Sequence, residues 1–208
     1  MKFVTISDTH GLHKGLKLPY GDVLIHAGDI SMRGNEAEII DFLNWFEHQK
    51  FEYKILVAGN HDFYFEREPE EQVQKLLPQS IIYLNDSGVT INNIKIWGSP
   101  ITPWFFNWAF NRHRGEPIKK HWDLIPTGTD ILITHGPVLG ILDKTKRGEP
   151  VGCKDLLSRV IEVKPKIHIC GHIHEAYGTT EKSGITFINA SILNEKYELV
   201  NSPTAFEL

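Results

Sequence analysis

Five short apolar runs in this chain end in residues of metal-binding type, and no other feature limits its fold so sharply. Phe3-Val4-Thr5-Ile6-Ser7 leads into Asp8 and His10, Val23 to Gly28 into Asp29, and Lys54 to Gly59 into Asn60 and His61. Ile131-Leu132-Ile133-Thr134 precedes His135, and Ile167 to Gly171 precedes His172 and His174. Short runs of Ile, Leu and Val read as strands buried on both faces, as in parallel sheets. Gly28, Gly59 and Gly171 each stand directly before a ligand-type residue, where a missing side chain lets the backbone turn sharply. Asp, Asn and His thus collect at the carboxyl edge of a sheet, where open α/β sheets keep their ligands. Such a cluster reads as a metal site.

The 208 residues suffice for one domain with a sizeable core, and a single domain over residues 1–208 is expected. A net charge of −4 argues against a general nucleic-acid grip, which needs a basic surface. Cys153 and Cys170 are too few for a disulfide framework, and Cys170, inside an apolar run, reads as a small core residue. The stretch before Asp8 is too short for a signal peptide, and no run approaches a membrane span. The expectation is a soluble protein of the cytoplasm.

Along the chain, Asn35 with Glu38 three residues on reads as a capping box, and Ile39, Ile40, Leu43 and Phe46 mark one apolar helical face. With its flanking strands this helix makes a βαβ unit. Pro69 fits the first turn of a short helix through Leu77. Three shorter apolar stretches, around Ile81, Val89 and Ile94, read as a meander joining a second sheet. Strand, helix and strand then resume through Asp130–Thr134, Cys153–Val163 and Lys166–Cys170, with short strands in the tail. The predicted architecture is an α/β sandwich of two packed mixed sheets flanked by helices, with the metal site at the carboxyl ends of the strands.

Gly98 to Gly115 fits neither strand nor helix, and it carries Trp104, Phe105, Phe106, Trp108 and Phe110. So long an irregular loop is usually functional or disordered, and the aromatics argue against disorder. The rings either cover the core, stack on a flat substrate group or meet a second subunit.

The candidate ligands are Asp8, His10, Asp29, Asn60, His135, His172 and His174. Seven exceed one tetrahedral zinc and suit two metals. Oxygen and imidazole donors without thiolate point to manganese, with iron or zinc as alternatives. Two divalent ions with two carboxylates leave a centre of about +2, which attracts anions such as phosphate. Water held between such ions becomes a nucleophile near neutral pH.

In order, Asp8-Thr9-His10, Gly28-Asp29, Gly59-Asn60-His61-Asp62, His135 and Gly171-His172-Ile173-His174 resemble the motif set of calcineurin-like metallophosphoesterases. The intervening text is similar to the small cytosolic branch related to brain metallophosphodiesterases. The resemblance implies that Asp8, His10, Asp29 and His174 hold one metal. Asp29, Asn60, His135 and His172 hold the other, with Asp29 bridging. It implies that His61 protonates the leaving oxygen, that Asn60 also touches phosphate, and that Arg33 binds it. In one departure, Met32 stands where some of these phosphatases have an Asp that steers the catalytic His; Asp62 either takes that task or supports the backbone. The implied activity is hydrolysis of nucleotide-type or other small phosphodiesters. A phosphomonoesterase and a non-catalytic scaffold on the same fold are the alternatives.

A haloacid-dehalogenase-type site needs a second Asp where His10 stands, and the His-x-His-x-Asp-His motif of metallo-β-lactamases is absent. His26 and His168 read as structural, His48, His113 and His121 as facing solvent, and His13 as a loop residue with reach to the substrate as the lesser alternative.

Overall fold

The strands form where apolar runs are buried on both faces. The computed structural model describes residues 1–208. In chain order the elements are β1 (Lys2–Ile6), β2 (Val23–Ala27), α1 (Glu36–Glu47), β3 (Tyr53–Val57), α2 (Phe63–Arg67), α3 (Glu70–Leu76) and β4 (Ile81–Tyr83). Then come β5 (Ser87–Ile91), β6 (Ile94–Ser99), β7 (Thr102–Pro103), β8 (Asn111–Arg112), α4 (Glu116–Trp122) and β9 (Ile131–Thr134). The chain continues through α5 (Lys154–Val163), β10 (Ile167–Cys170), β11 (Gly178–Lys182), β12 (Ile185–Asn189) and β13 (Thr204–Glu207). No helix is long and apolar enough to cross a membrane.

Two mixed sheets result, as the sequence predicts. One has the order β13-β1-β2-β3-β4, the other β11-β12-β10-β9-β6-β5. In the first, β1 to β4 run parallel and β13 closes the edge antiparallel to β1. In the second, β12, β10, β9 and β6 run parallel between antiparallel β11 and β5. Phe3, Ile25, Ile55 and Val57 of the first sheet meet Ile96, Ile131, Ile133 and Ile169 of the second. Outward faces of the same strands, including Val4, Leu24 and Leu132, pack on Phe42, Phe46, Trp122 and Leu156 of the helices. β1, β2, β3, β9 and β12 therefore each contribute to two apolar layers, at ~1.5–3 kcal/mol per fully buried large side chain.

Several expectations shift on inspection. Ile40 is exposed, and Phe42 takes its place on the buried face of α1 beside Ile39, Leu43 and Phe46. Asn35 Oδ1 does accept from Glu38 N at 3.0 Å, but the Glu38 carboxylate accepts from Arg33 N rather than closing the box. The predicted meander splits: β4 pairs with β3 in the first sheet, and only β5 and β6 enter the second. Pro69 is the N-cap of α3, not its first turn. The loop from Gly98 to Gly115 begins within the end of β6 and contains the two-residue pair β7 and β8.

Candidate metal centre

The parallel strands β1, β2, β3, β9 and β10 all release the chain at one edge of the sandwich, and there the predicted ligands meet. Asp8, His10 and His174 offer donor atoms within 4.8 Å of one another, and so do Asp29, His135 and His172. His10 and Asp29 form a third such group with His61. Asn60 joins through its Oδ1, which accepts from His135 Nε2–H at 2.9 Å. Asp8, Asp29 and His135 are buried.

Glycines precede ligands here because of crowding. A Cβ at Gly59 would lie 2.2 Å from Asp29 Oδ1, one at Gly171 would lie 2.1 Å from Asp8 Oδ2, and one at Gly28 would lie 2.3 Å from His135 Nδ1. Each such glycine makes room for a ligand from a different strand. Four ligand candidates hold the left-handed backbone that side chains disfavour: Asp8 at φ 54°, His10 at 41°, Asp29 at 58° and His172 at 68°. Such residues cost about 1–3 kcal/mol each and persist where surrounding structure fixes them.

Backbone carbonyls aim the imidazoles. His10 Nδ1 bonds Ser31 O at 3.0 Å, His135 Nδ1 bonds Ala27 O at 3.0 Å, and His174 Nδ1 bonds Asn194 O at 2.9 Å. Each Nδ1–H donates, which turns Nε2 inward. Carboxylates are anchored as well: His172 N donates to Asp8, and His61 N donates to Asp29 Oδ1 at 2.8 Å. Asp29 Oδ2 is left 3.6 Å from His10 Nε2 and 3.3 Å from His135 Nε2, facing both groups. Asp8 Oδ1 lies 3.5 Å from His174 Nε2.

These spacings fit cations. Donors each ~2.0–2.2 Å from one ion lie about 3.0–3.5 Å apart, and His10 Nε2 is buried with no hydrogen-bond partner. Protons on the imidazoles balance the buried carboxylates. Burial opposes charge on His135, but the Asp29 carboxylate and then that of Asp8 outweigh it and raise the imidazole to about 9. His174 rises to about 9 against the same burial through its contact with Asp8. Despite burial, the facing imidazoles hold both Asp8 and Asp29 below the usual carboxylate range. His172 is pushed down to about 4 by burial and by the charge on His135.

His61 sits beside this group with its Nδ1–H donating to Met32 O at 2.8 Å. The residue that departs from the phosphatase pattern thus orients the ring through its main chain. Asp62 does not touch the imidazole. It accepts from the N–H groups of Gly59, Ile30 and Ser31 and from the Ser31 hydroxyl, tying the Asp29 and Asn60 loops together. Burial and the charge on Asp29 push its carboxyl up to about 6. Arg33 is exposed, outside the buried group.

Sequence reasoning did not anticipate three neighbours. Trp108 stacks on His61 with ring centroids 4.1 Å apart. Tyr197 meets His10 and His174 edge-on at 4.9 and 5.1 Å. Asn189 Nδ2 holds the carbonyls of Gly171 and Ile173. Of these only Trp108 carried a signal, as one of a run of aromatics; a lone Tyr or Asn in a tail carries none.

The remaining histidines divide. His26 and His168 are buried, each on a threonine, Thr9 and Thr134, and burial pushes both down to about 3. His48 and His113 are exposed. His121 is half-buried and bonded to Asp86 at 2.6 Å rather than facing solvent. His13 packs on Phe42 and Trp45 of α1, so it faces the helix and not a substrate. The aromatic loop also divides: Phe110 is in the core, while Trp104, Phe105 and Phe106 are 49%, 57% and 72% exposed.

The family model for calcineurin-like phosphoesterases matches residues 1–176. The chain is 43% identical over 231 aligned residues to metallophosphoesterase domain-containing protein 1 of Homo sapiens, covering 100% of this chain and 71% of that protein. A UPF0046 protein of Caenorhabditis elegans is 37% identical over 237 residues, with 100% and 60% covered. Among solved structures, TT1561 of Thermus thermophilus superposes with a TM-score of 0.60 at 12% identity, covering 90% of this chain and 88% of that one. That likeness is one of fold.

Proposed function

The chain belongs to the calcineurin-like phosphoesterase family and is a metal-dependent phosphoesterase, and we propose that it is a phosphodiesterase acting on small, nucleotide-type diesters. One observation carries the preference: the arginines around the aromatic loop are already committed. Arg112 pairs with Glu66 at 2.9 Å, and Arg114 donates to the carbonyls of Gly152 and Val151. A phosphomonoester brings two negative charges and a diester one, so tying up these two guanidinium groups favours the diester.

In this reading Asp8, His10, Asp29 and His174 hold one divalent ion, and Asp29, Asn60, His135 and His172 hold the second. Manganese is favoured by the donor set, with iron and zinc as alternatives. Two such ions supply Lewis acidity and a water of lowered pKa. His61 gives its Nε2 proton to the leaving oxygen, since Nδ1 is committed to Met32 O. Trp108 and the Met32 carbonyl keep that ring from turning away. Asn60 contacts the phosphate, and Arg33 reaches it only by swinging inward from its exposed position. Two buried, unpaired cysteines suit a cytoplasmic setting.

The test is kcat/KM for bis(p-nitrophenyl) phosphate and for p-nitrophenyl phosphate with the same metal. We expect the diester to be favoured. A monoester preference of about tenfold, ~1.4 kcal/mol, overturns the reading and leaves the metal centre standing.

A further inference from the structure

Next to the Asp29–His135–His172 group lies a cavity of about 250 Å³, with walls that include Pro103, Trp104, Phe105, Pro137, Val151 and His172. His172 belongs both to this wall and to the ligand cluster, so the cavity opens directly onto the cluster. Its size lies just under the ~300 Å³ at which drug-sized pockets begin, which suits one ring system.

The lining also says what kind of group fits. Rings and prolines dominate it, and no carboxylate is present. Arg114 is its one permanently charged side chain, and both guanidinium ends are tied to the carbonyls of Gly152 and Val151. The cavity therefore offers contact area without a free charge. Trp104 is held flat by His113, with centroids 4.6 Å apart and planes 10° apart, yet the indole remains half-exposed. A rigid, half-exposed indole is a stacking platform.

His61 lies elsewhere. It groups with His10 and Asp29 and is absent from the cavity wall. A phosphodiester seated on the cluster thus has two distinct places for its two organic groups. We propose that this cavity binds the group that stays on phosphorus, a flat uncharged one such as an aryl ring or a nucleobase, and that the other alcohol leaves at His61. The proposal rests on the diesterase reading. In the step, the oxygen of water bonds to phosphorus and the P–O bond to the leaving alcohol breaks with its electron pair on oxygen. His61 protonates that oxygen, and the proton lost by water passes to solvent, from which His61 is recharged.

Three diesters with one leaving group test it: the p-nitrophenyl esters of methyl phosphate, phenyl phosphate and thymidine 5′-phosphate. At ~1–3 kcal/mol per stacked ring, the better flat substrate should exceed the methyl one by about fivefold or more in kcat/KM, chiefly through KM. Which flat arm is faster tells aryl from nucleobase. Trp104→Ala should cut that ratio to about threefold or less, and Trp104→Phe should keep most of it. A ratio unchanged in Trp104→Ala overturns the subsite. Should only monoesters turn over, the diesterase reading fails by itself, and the same diesters are then compared as inhibitors; equal inhibition by methyl and flat arms overturns the subsite too. Methyl thymidine 5′-phosphate, whose two alcohols leave with similar ease, should give thymidine 5′-phosphate and methanol. Release of thymidine instead overturns the assigned orientation.

Discussion

In the ligand cluster His135 and Asp29 are each held at two points, whereas in the loop from Gly98 to Gly115 the rings of Phe105 and Phe106 are held only against each other. His135 is fixed by Ala27 O and Asn60, and Asp29 by His61 N and the imidazoles facing it. Phe105 and Phe106 touch each other at 4.5 Å, and only their carbonyls are bound, both by Asn111 Nδ2. The first region leaves no room for even a methyl group beside Asp8 or Asp29. The second leaves much of its aromatic surface in water. The ligand positions are built on strand ends, while the loop touches them at Trp108 on His61 and at Ala109 N, which donates to Asn60 O, and leaves Trp104, Phe105 and Phe106 at the rim.

The contrast breaks most visibly at Asp29. Asp29→Asn should abolish metal retention and lower kcat/KM well beyond the roughly 10–100-fold typical of outer supports of a metal site. Asn60→Asp should lose much less, because Asp29 Oδ2 faces imidazoles of both groups while Asn60 faces one. Elemental analysis and turnover of the two variants check this, and equal losses would remove Asp29 from its bridging place. His61→Ala comes next: both metals should stay, and turnover should fall by roughly 10²–10⁴-fold. The deficit should shrink for a nitrophenolate leaving group, which needs no proton. Loss of metal from His61→Ala would make His61 a ligand.

A smaller effect concerns the metal-free chain. His135 and His174 titrate near 9 in the fold against an ordinary 6.5. A raised imidazole stabilises the fold fully below pH 6.5 and loses that contribution as pH climbs through about 9. With chelator present, the melting temperature should therefore fall between about pH 6.5 and 9.5, and metal titration at about pH 7.5 should release protons into the buffer. A flat melting profile with no proton release would show these imidazoles neutral before metal arrives. The smallest effect should come from the rim, where Phe106→Ser is expected to move stability by no more than about 0.5 kcal/mol in urea unfolding. A larger loss would mean that the rim supports the cluster after all.

Much of the cluster was legible in the chain because its signals are side-chain identities at fixed places after apolar runs. The glycines were visible too, although crowding by Asp29, Asp8 and His135 explains them better than turning does. What stayed hidden works through the main chain. Met32 reads as a missing Asp, yet its carbonyl orients His61, and any residue has a carbonyl. Asp62 left two roles open, and four hydrogen bonds at 2.6–3.2 Å favour backbone support. Ile40 and Phe42 exchange places because both spacings fit a helical stripe, and only the packed sheet decides between them. The sheet membership of β4 was equally unreadable, since pairing of a three-residue strand is set by its neighbours and not by its own residues.

The left-handed backbone at Asp8, His10, Asp29 and His172 also bears on how such a chain drifts over generations. Glycine at any of these positions relieves an angle that costs about 1–3 kcal/mol, but at Asp8 or Asp29 it also strips a buried imidazole of its carboxylate, at about 3–5 kcal/mol. In a chain without metals the carboxylates are therefore kept by the imidazoles they face, and backbone relief is open only at His10 and His172, which burial keeps from charging. A lineage that stopped depending on the ions would shed those two imidazoles before either carboxylate.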